Sequence, residues 1–458
     1  MKNCTHCDEK SDTDEQYADH LATAHTHEEL DRIDRRQVDT QTGNSALRRV
    51  TGRSGLSRRA ALGTVGLAVV GAVGIGQAVS GPTLSSLTNA NPTGIEDWDD
   101  LAKIGTDEAY PLDGEYVLET GLDEETDGYG DLVDTADGWD PINEFTGSFD
   151  GQDHTIADLV IDRDDRTGVG LFGTEMAGTV TGVVLRSVDV TGGDFTGSVV
   201  GEVIDGTVTE CFVTGRVHGG DYTGGVFGEC RNGTATDVAT TADVTGEKWV
   251  GGLVGRQEAT ADEKSTIQRT YTLGEIEGDE RVGGFVGRQE STGGDAEVLV
   301  EVGYTTARVA DDSGDTIGIL AGKQFSEGED SISTIEAYVD VDTRTTDSPG
   351  DVKASDGGFA SLISDGLETT EMQGETPTPN GDDRMSGFGF DFEDDWTPVI
   401  TDKRINPRPL EDGYPILRRV NPQVQLEGQG TDFELVTDAI RISGEDVTIT
   451  NTTVSGDD

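Results

Sequence analysis

A short apolar motif bracketed by glycines recurs along the chain and constrains its fold more than any other feature. It reads VGLFG, GSVVG, GGVFG, GGLVG, GGFVG and, in a degraded form, GILAG. The final glycines of the six copies are Gly173, Gly201, Gly228, Gly255, Gly287 and Gly322. The steps between them are 28, 27, 27, 32 and 35 residues. A period of this size in a chain of short strands and turns indicates a solenoid in which each repeat is one coil.

The spacing also predicts how the motif packs. Solenoid coils stack about 4.8 Å apart, so equivalent residues lie over one another. Glycine allows a tight corner where a Cβ would clash with the next coil. The sequence therefore predicts an all-β, parallel β-helix with coils of about 27 residues and disfavours a β-sandwich, whose strands need not repeat one pentapeptide. One apolar column is predicted from Leu171, Val199, Val226, Leu253 and Phe285, and the residues after them, Phe172, Val200, Phe227, Val254 and Val286, are predicted to face the opposite way.

The motifs and the sequences on both sides of them resemble the GLUG repeat family. The lead-in contains IEDWDDLAKI, GEYVLETGLD and FTGSFDGQDHTIADLVID, and the end contains FDFEDDWTPVI and EDGYPILRR. The resemblance covers about residues 93–420 and implies a right-handed parallel β-helix of the cell surface, with capping regions at both ends. Residues 421–458 are predicted to be a strand-rich extension, because DVTITNTTV alternates in polarity. The polar stretch 348–383 is predicted to be a long surface loop.

The charge of the chain indicates its solvent and excludes some partners. Its 33 Lys and Arg residues stand against 90 Asp and Glu residues, which gives a net charge of −57. A surface this negative repels phosphate backbones and anionic lipids, so nucleic acid is excluded as a partner of the whole chain. At molar salt the Debye length falls to about 3 Å, which screens the self-repulsion. The composition resembles that of haloarchaeal proteins and predicts a high-salt habitat.

The first 40 residues are predicted to form a zinc-finger-like segment. Cys4, Cys7, His20 and His25 follow the spacing C-x2-C-x12-H-x4-H, in which two thiolates and two imidazoles can surround zinc as a tetrahedron. His27 is an alternative to His25, and chance spacing in a polar tail is the alternative to a metal site. The stretch between the cysteines and histidines is acidic, so a contact with protein is expected rather than base readout.

Residues 41–80 are predicted to be a linker followed by an export segment. Arg58 and Arg59 precede an uncharged stretch from Ala60 to Ser80 and resemble a twin-arginine signal. The alternative is an uncleaved single-span helix over residues 60–80 that keeps the N-terminus inside the cell. Both interpretations place residues 81–458 outside the cytoplasm, at the cell surface or in the extracellular medium.

Several smaller features leave alternatives open. Cys211 and Cys230 lie in adjacent coils and are either a disulfide or two small core residues. The acidic segment 123–131 is a possible calcium loop, although a solvated loop is the simpler interpretation. Asn232 and Asn451 begin glycosylation sequons.

The pattern of motifs predicts a non-enzymatic protein. The chain contains no H-E-x-x-H, no nucleophile elbow and no P-loop, and the exported part holds only His154 and His218. The leading hypothesis is an exported β-solenoid that acts as an adhesion, envelope or interaction module, with a surface protein or a glycan as its partner. The alternatives are a carbohydrate-active β-helix enzyme and a membrane-anchored sensor with a cytoplasmic zinc finger.

Overall fold

The computed structural model describes residues 2–3, 10–11, 92–311, 317–346, 348–355, 357–373, 385, 388–392, 394–399, 404–405, 408–409 and 413–429. The chain divides into two units, Met1–Ser86 and Leu87–Asp458. In the first unit, β1 (Lys2–Asn3) pairs with β2 (Lys10–Ser11) in antiparallel fashion. The predicted zinc ligands Cys4, Cys7, His20 and His25 and the arginine pair Arg58 and Arg59 lie outside the described residues.

The second unit is a β-solenoid of about eight turns with mostly parallel strands and very few helices, which confirms the predicted fold class. Its first strands are β3 (Thr93–Ile95), β4 (Glu115–Leu118), β5 (Ser148–Asp150), β6 (Thr155–Ala157), β7 (Val160–Arg163), β8 (Thr179–Thr181), β9 (Val184–Gly192), β10 (Val200–Ile204), β11 (Thr207–His218), β12 (Phe227–Arg231), β13 (Thr234–Thr240), β14 (Asp243–Gly251) and β15 (Val254–Thr260). The later strands are β16 (Lys264–Thr272), β17 (Glu275–Gly283), β18 (Val286–Thr292), β19 (Glu297–Thr305), β20 (Arg308–Asp311), β21 (Ile317–Gly318), β22 (Ala321–Glu327), β23 (Ile332–Asp340), β24 (Asp351–Ser355), β25 (Phe359–Leu367), β26 (Trp396–Val399), β27 (Arg404–Ile405), β28 (Arg408–Pro409) and β29 (Gly413–Leu417). The helices are α1 (Trp98–Lys103), α2 (Tyr129–Leu132), α3 (Thr369–Met372) and α4 (Pro422–Gln429).

One face of the solenoid is a six-stranded parallel sheet in the order β10, β12, β15, β18, β22 and β24. Val200 pairs with Phe227, Phe227 with Val254, and Val254 with Val286. These offsets equal the steps between the corresponding motifs, so each of the last five motifs begins one strand of this sheet, and Phe172 of the first motif pairs with Val200 in an isolated bridge. The strands β8, β11, β13, β16, β19, β23 and β25 pair in succession on a second face.

The apolar residues of the motif pack differently from the prediction. Leu171 and Phe172 were expected on opposite faces, as were their equivalents in later coils, but every member of both columns is buried in one core. The reason is a corner in the backbone. The N–H groups of Val199 and Val200 both donate to the carbonyl oxygen of Val226, at 3.1 and 3.2 Å. The chain therefore bends between the two residues, and both side chains point inward.

A ladder of glutamines runs through the otherwise apolar interior. Gln257, Gln289 and Gln324 pair in register on the inner side of the six-stranded sheet, and all three are fully buried. The Nε2 of Gln289 donates to the Oε1 of Gln257 at 3.0 Å, and the Nε2 of Gln324 donates to the Oε1 of Gln289 at 2.6 Å. Because equivalent residues of successive coils lie side by side, the side-chain amide of each glutamine hydrogen-bonds to that of the next. These hydrogen bonds offset the free-energy cost of burying polar amides.

The C-terminal part of the chain covers the outer face of the β16–β19–β23 strands. We call the described residues between Met385 and Gln429 the C-terminal cover. Tyr271 donates its hydroxyl hydrogen to Gln425 at 3.0 Å, and Tyr304 donates to the carbonyl oxygen of Pro415 at 2.7 Å. Trp396 packs against both tyrosine rings. This face of the solenoid is therefore a second core rather than a surface.

Two local predictions were wrong where the structure describes them. Residues 351–355 and 359–367 form strands of the last coil, and Thr369–Met372 is a helix, so the stretch 348–383 is not simply a surface loop. Its polar composition reflects the exposed last coil. Pro422–Gln429 is a helix rather than a strand, with Asn421 accepting hydrogen bonds at its start. The sequon at Asn451 lies outside the described residues.

Candidate functional site

The outer side of the six-stranded sheet carries two columns of mainly charged side chains, and we call it the open face. Alternation along each strand points one set of side chains into the core and the next set outward. The register then places outward residues of successive coils side by side. The first column contains Glu202, Glu229, Arg256, Arg288, Lys323 and Asp351, and the second contains Ile204, Arg231, Glu258, Glu290, Phe325 and Lys353.

Arg256 is the centre of an ion-pair network on the open face. Its guanidinium lies 3.2 Å from the carboxylate of Glu229, 2.8 Å from that of Glu258 and 3.4 Å from that of Glu290. Arg288 also pairs with Glu290, at 2.8 Å. The three carboxylates are buried by these arginines, although they belong to an outward face. The network therefore links three successive coils.

Burial raises the pKa of Glu229, while Arg231 and Arg256 oppose that effect. Glu202 precedes Glu229 in the same column, and burial raises its pKa as well. The two residues are paired on adjacent parallel strands, which lie about 4.8 Å apart, and retaining glycosidases use two carboxylates about 5–5.5 Å apart. However, only 2% of the Glu229 side chain is exposed, and both arginines lie against it. The pair is therefore closed to a substrate lying on this face.

An aromatic ladder lies at the corner beside the open face, and it consists of Phe195, Tyr222 and Trp249. The ring centroids are 4.8 and 4.7 Å apart, with interplanar angles of 4° and 9°. All three residues are half-buried and have positive φ angles, between 55° and 62°. This left-handed conformation costs about 1–2 kcal/mol for each non-glycine residue. The repeated stacking of the rings offsets part of that cost.

The motif glycines make room for this corner. A Cβ on Gly255 would lie 2.1 Å from the carbonyl carbon of Tyr222, and one on Gly287 would lie 2.1 Å from that of Trp249. Gly228 stands in the same relation to Phe195. The backbone of each ladder residue therefore packs directly against the final glycine of a motif in the next coil, where a Cβ would clash. Gly173, Gly201 and Gly322 occupy similarly close positions.

Three arginines lie beside the Tyr222 and Trp249 rings of the ladder. The guanidinium of Arg256 lies 5.7 Å from the Tyr222 ring centroid, and those of Arg281 and Arg288 lie 5.9 and 5.5 Å from that of Trp249. Because the rings stack along the solenoid axis, their flat faces cover one another. A sugar ring cannot stack between the rings, so a partner that approaches Tyr222 or Trp249 meets ring edges and arginines.

Lys323 continues the basic part of the first column. Burial lowers its pKa, and the neighbouring cations Arg288, Lys353 and Arg281 lower it further. Arg256, Arg288 and Lys323 are three basic residues in consecutive coils of one column. Like charges placed side by side are destabilising, and the chain has few basic residues. A column of three cations therefore makes this part of the open face a candidate binding surface.

A second concave region lies at the N-terminal end of the solenoid. This cleft has a volume of about 620 Å³ and is lined in part by Asp137, Asp140, Glu144 and Trp139. Arg163 also lines it and donates from Nε to the carbonyl oxygen of Trp139 at 3.0 Å. Its lining, as far as the structure describes it, contains no histidine, cysteine, serine or lysine. Its ionisable side chains are therefore carboxylates and one arginine.

The remaining predicted residues are distributed over the coils. Cys211 and Cys230 are both free and buried, so they are core residues and not a disulfide. Burial raises the pKa of each thiol to about 12. Asn232 sits in a turn, where its Oδ1 accepts a hydrogen bond from the backbone N–H of Thr260 at 3.1 Å. Among the described residues, no group of three His, Cys, Asp or Glu side chains is placed to hold a metal ion.

The sequence prediction missed the aromatic ladder, although a signal for it exists. Phe195, Tyr222 and Trp249 are separated by 27 and 27 residues, which is the period of the motif itself. Each stands two residues before the first glycine of the next motif, which is Gly197, Gly224 or Gly251. A column search at the motif period, rather than a search for apolar residues alone, would have found it.

Comparisons with known proteins identify a relative over a short stretch of the chain and a similar solved structure. The chain is 44% identical over 79 residues to halomucin of Haloquadratum walsbyi, a match that covers 17% of this chain and 1% of halomucin. A crystal structure of a candidate immunoglobulin A1 protease from Bacteroides ovatus has a TM-score of 0.47 and 17% identity, over 73% of this chain and 94% of that one. No family model matches the chain.

The relative from a haloarchaeon and the β-solenoid together fit a haloarchaeal surface protein. The matched stretch is a very small part of halomucin, so the activity of that protein is not transferred here. Within the part of the chain that the structure describes, no helix is both long and apolar enough to cross a membrane. The predicted export segment, residues 60–80, lies outside that part.

Proposed function

We propose that the protein is an exported, non-enzymatic interaction module at the surface of a high-salt organism. The observation that supports it best is the open face. Its charged groups are tied into ion pairs across successive coils, and a regular aromatic ladder borders it. A stacked array of this kind presents a long, rigid surface without a reactive group, which is how solenoids bind partners.

The salt of the habitat determines how such a face recognises its partner. At molar salt, charges further apart than about 3 Å are largely screened. Recognition then depends on direct hydrogen bonds, short ion pairs and contacts with ring edges. The arginines and Lys323 of the open face supply donors for the oxygen atoms of a glycan or of an acidic surface protein. Both remain candidates for the partner.

Binding to cells of the source organism tests this proposal. The full-length protein, labelled with a fluorophore, is titrated onto washed host cells in molar salt. Arg288→Ser with Lys323→Ser removes two cations of the open face, and we expect binding to weaken at least about tenfold. The matched control is Lys264→Ser with Arg308→Ser, since both side chains are exposed on other faces, at 63% and 67%. Equal binding by both double variants would overturn the role of the open face.

A carbohydrate-active enzyme is the second candidate, because Glu202 and Glu229 are paired carboxylates on adjacent coils. It requires Arg231 and Arg256 to move away from Glu229, which they cover in this structure. Incubation of the purified protein with a panel of neutral and acidic polysaccharides, followed by analysis of reducing ends and unsaturated products, decides between the two. We expect no product from any polysaccharide. If a product forms and is lost in Glu229→Gln, the protein is an enzyme and the proposal of a non-enzymatic interaction module is wrong.

We also propose that the N-terminal segment binds zinc through Cys4, Cys7, His20 and His25. The ligand spacing supports this, and β1 and β2 pair on either side of the two cysteines. Metal analysis of the full-length protein should give one zinc per chain, and none after Cys4→Ser with Cys7→Ser. Mass spectrometry of the native N-terminus then separates the models. A start near Gly81 means export with cleavage, whereas a retained segment means a membrane-anchored sensor.

A further inference from the structure

Arg281 takes the place of a fourth ring in the aromatic ladder. The register of β14 and β17 sets it beside Trp249, and it has the same left-handed backbone, with a φ of 59°. A Cβ on Gly322 would lie 2.3 Å from the carbonyl carbon of Arg281, the relation that Gly287 has to Trp249. The guanidinium of Arg281 lies 5.9 Å from the Trp249 ring centroid. At this coil the ladder therefore changes from aromatic rings to a cation.

Arg281 belongs to a basic cluster that also contains Arg288, Lys323 and Lys353. Lys323 pairs in register with Arg288 across β18 and β22. Besides burial, the positive charges of Arg288, Lys353 and Arg281 lower the pKa of Lys323, so the four cations lie close to one another. The chain has 33 basic residues against 90 acidic ones. Four cations in neighbouring coils are therefore an unusual concentration of positive charge for this protein.

Lys323 is the member of the basic cluster whose charge is not neutralised. Asp351 stands next to it in the first column but pairs with Lys353, at 3.4 Å. Arg288, its neighbour on the other side, pairs with Glu290 at 2.8 Å. Among the residues that the structure describes, no carboxylate forms an ion pair with Lys323. Its partly exposed ammonium group can therefore bind an anionic group of a partner.

An aromatic ring lies beside this ammonium group. The Nζ of Lys323 is 5.9 Å from the ring centroid of Phe325, which is half-buried. The neighbours of Phe325 in the second column are Glu290 and Lys353. Within the described ranges no other ring contacts it, unlike the rings of the aromatic ladder, whose faces cover one another. An apolar ring next to a cation suits a molecule with one apolar side and one negative charge.

We propose that this part of the open face binds an acidic sugar residue of a surface glycan, through Lys323, Phe325, Arg281 and Arg288. The inference rests on the proposed function, because it names the partner of the open face. The apolar C–H side of the sugar ring packs on Phe325, and its carboxylate or sulfate group reaches Lys323 and Arg288. Arg281 adds a second guanidinium at the corner. Such charge-assisted hydrogen bonds are short enough to act in molar salt.

The composition of the open face favours a glycan over an acidic protein. A protein interface is built around a desolvated apolar centre with aromatic anchors. The two columns of the open face contain only Ile204 and Phe325 as apolar members, and these lie four strands apart in the sheet. The face therefore has no apolar centre. A sugar residue needs one ring and a few hydrogen-bond donors, and the basic cluster with Phe325 supplies both.

Binding of defined polymers to the full-length protein in molar sodium chloride tests the inference. At this salt concentration the long-range repulsion between an anionic polymer and a chain of charge −57 is screened. The probes are dextran sulfate, polygalacturonate, unmodified dextran and, as an acidic polypeptide, polyglutamate. We expect dextran sulfate or polygalacturonate to bind at least about tenfold more tightly than dextran and polyglutamate. The tighter of the two identifies sulfate or carboxylate as the acidic group.

Two results with these polymers would overturn the inference. Equal affinity for polyglutamate would mean that the open face recognises negative charge and not a sugar. Absence of binding to both dextran sulfate and polygalacturonate would mean that an acidic sugar is not the ligand.

Variants assign the binding to the proposed residues, and denaturant titration checks that each variant is folded. Lys323→Gln should weaken binding of the acidic polysaccharide at least about tenfold, whereas Lys323→Arg should retain most of it. Phe325→Ser should also weaken it, although it changes no charge. The matched control, Lys264→Ser with Arg308→Ser, removes two exposed cations from other faces and should bind normally. Equal binding by Lys323→Gln and the control would place the glycan elsewhere, and an unchanged Phe325→Ser would exclude a stacked sugar.

The result can be separated from that of the proposed function. Arg288→Ser with Lys323→Ser is expected to lose binding to cells. If it does, and neither acidic polysaccharide binds the unaltered protein, the open face is still an interaction surface and only its assignment to an acidic glycan is wrong. If the unaltered protein binds neither cells nor polysaccharides, both proposals are wrong.

Discussion

The solenoid stacks aromatic rings on two of its outer faces, and the two stacks have different surroundings. Tyr271 and Tyr304 lie 5.1 Å apart with an interplanar angle of 10°. The rings of Tyr222 and Trp249 lie 4.7 Å apart with an angle of 9°. The coil spacing thus produces nearly the same geometry in both places. The first pair is fully buried under the C-terminal cover, whereas the second is half-buried beside the open face.

The difference shows that the coil repeat sets the positions of the rings, whereas the segments packed around them determine whether the rings are buried or accessible. The hydroxyls of Tyr271 and Tyr304 are bound to groups of the cover, and burial raises the pKa of both well above the usual range. Stacked rings under the cover therefore hold one segment in one place. Stacked rings beside the open face keep an edge available to solvent and to partners.

The largest expected effect comes from the covered stack. Tyr304→Ala removes a fully buried ring that contacts Tyr271, Trp396 and Tyr414. Deletion of such a ring costs about 3–5 kcal/mol. We expect this loss in the free energy of unfolding, measured by denaturant titration in molar salt. Tyr304→Phe, which loses only the hydrogen bond to Pro415, should cost about 1 kcal/mol. Similar losses in both variants would mean that the hydroxyl, not the ring, fixes the cover.

The next effect concerns the ion-pair network of the open face. Arg256→Met leaves Glu229 and Glu258 buried with fewer opposite charges, and we expect a loss of about 2–3 kcal/mol at pH 8. Burial already raises the pKa of Glu229, and removal of Arg256 raises it further. A carboxyl whose pKa is raised on folding destabilises the protein as the pH increases through that range.

The difference in unfolding free energy between Arg256→Met and the unaltered protein should therefore shrink as the pH falls from 8 towards 5. Denaturant titrations at several pH values, at one molar salt concentration, measure it. Taking the difference cancels the contribution of the other carboxylates. A difference that grows at low pH would contradict the assignment of buried, ionised carboxylates around Arg256.

The repeats in the sequence predict the period and the register of the coils, but no repeat predicts which segment packs over them. This explains which predictions succeeded. The glycine motifs predicted the period and register, because the final glycines from Gly201 to Gly322 lie against the backbone of a neighbouring coil, where a Cβ would clash. The C-terminal cover was not predictable in the same way. Tyr271 meets Gln425 across 154 residues, and no period connects them. The opposite-face prediction for Phe172 and its equivalents failed because alternation stops at a corner.

Substitutions in the aromatic ladder should reduce the free energy of unfolding by a smaller amount, which depends on the left-handed backbone conformation at the substituted residue. Trp249→Ala removes stacking with Tyr222 and contacts with two arginines at a half-buried site, and we expect a loss of about 1–2 kcal/mol. Trp249 has a φ of 55°. Trp249→Gly relieves that conformation and should therefore be less destabilising than Trp249→Ala, by up to about 1 kcal/mol. Denaturant titration of the two variants side by side makes the comparison, and the reverse order would contradict a left-handed corner.

The smallest effect is expected from an ion pair that lies on neither stack. Lys264 and Glu297 pair across adjacent coils, and the Lys264 side chain is 63% exposed. Exposed pairs contribute about 0–1 kcal/mol in dilute buffer, and salt weakens them. Lys264→Ala should therefore change the unfolding free energy by less than about 0.5 kcal/mol in molar salt. A loss as large as that of Arg256→Met would mean that burial is not what separates the open-face network from ordinary surface pairs.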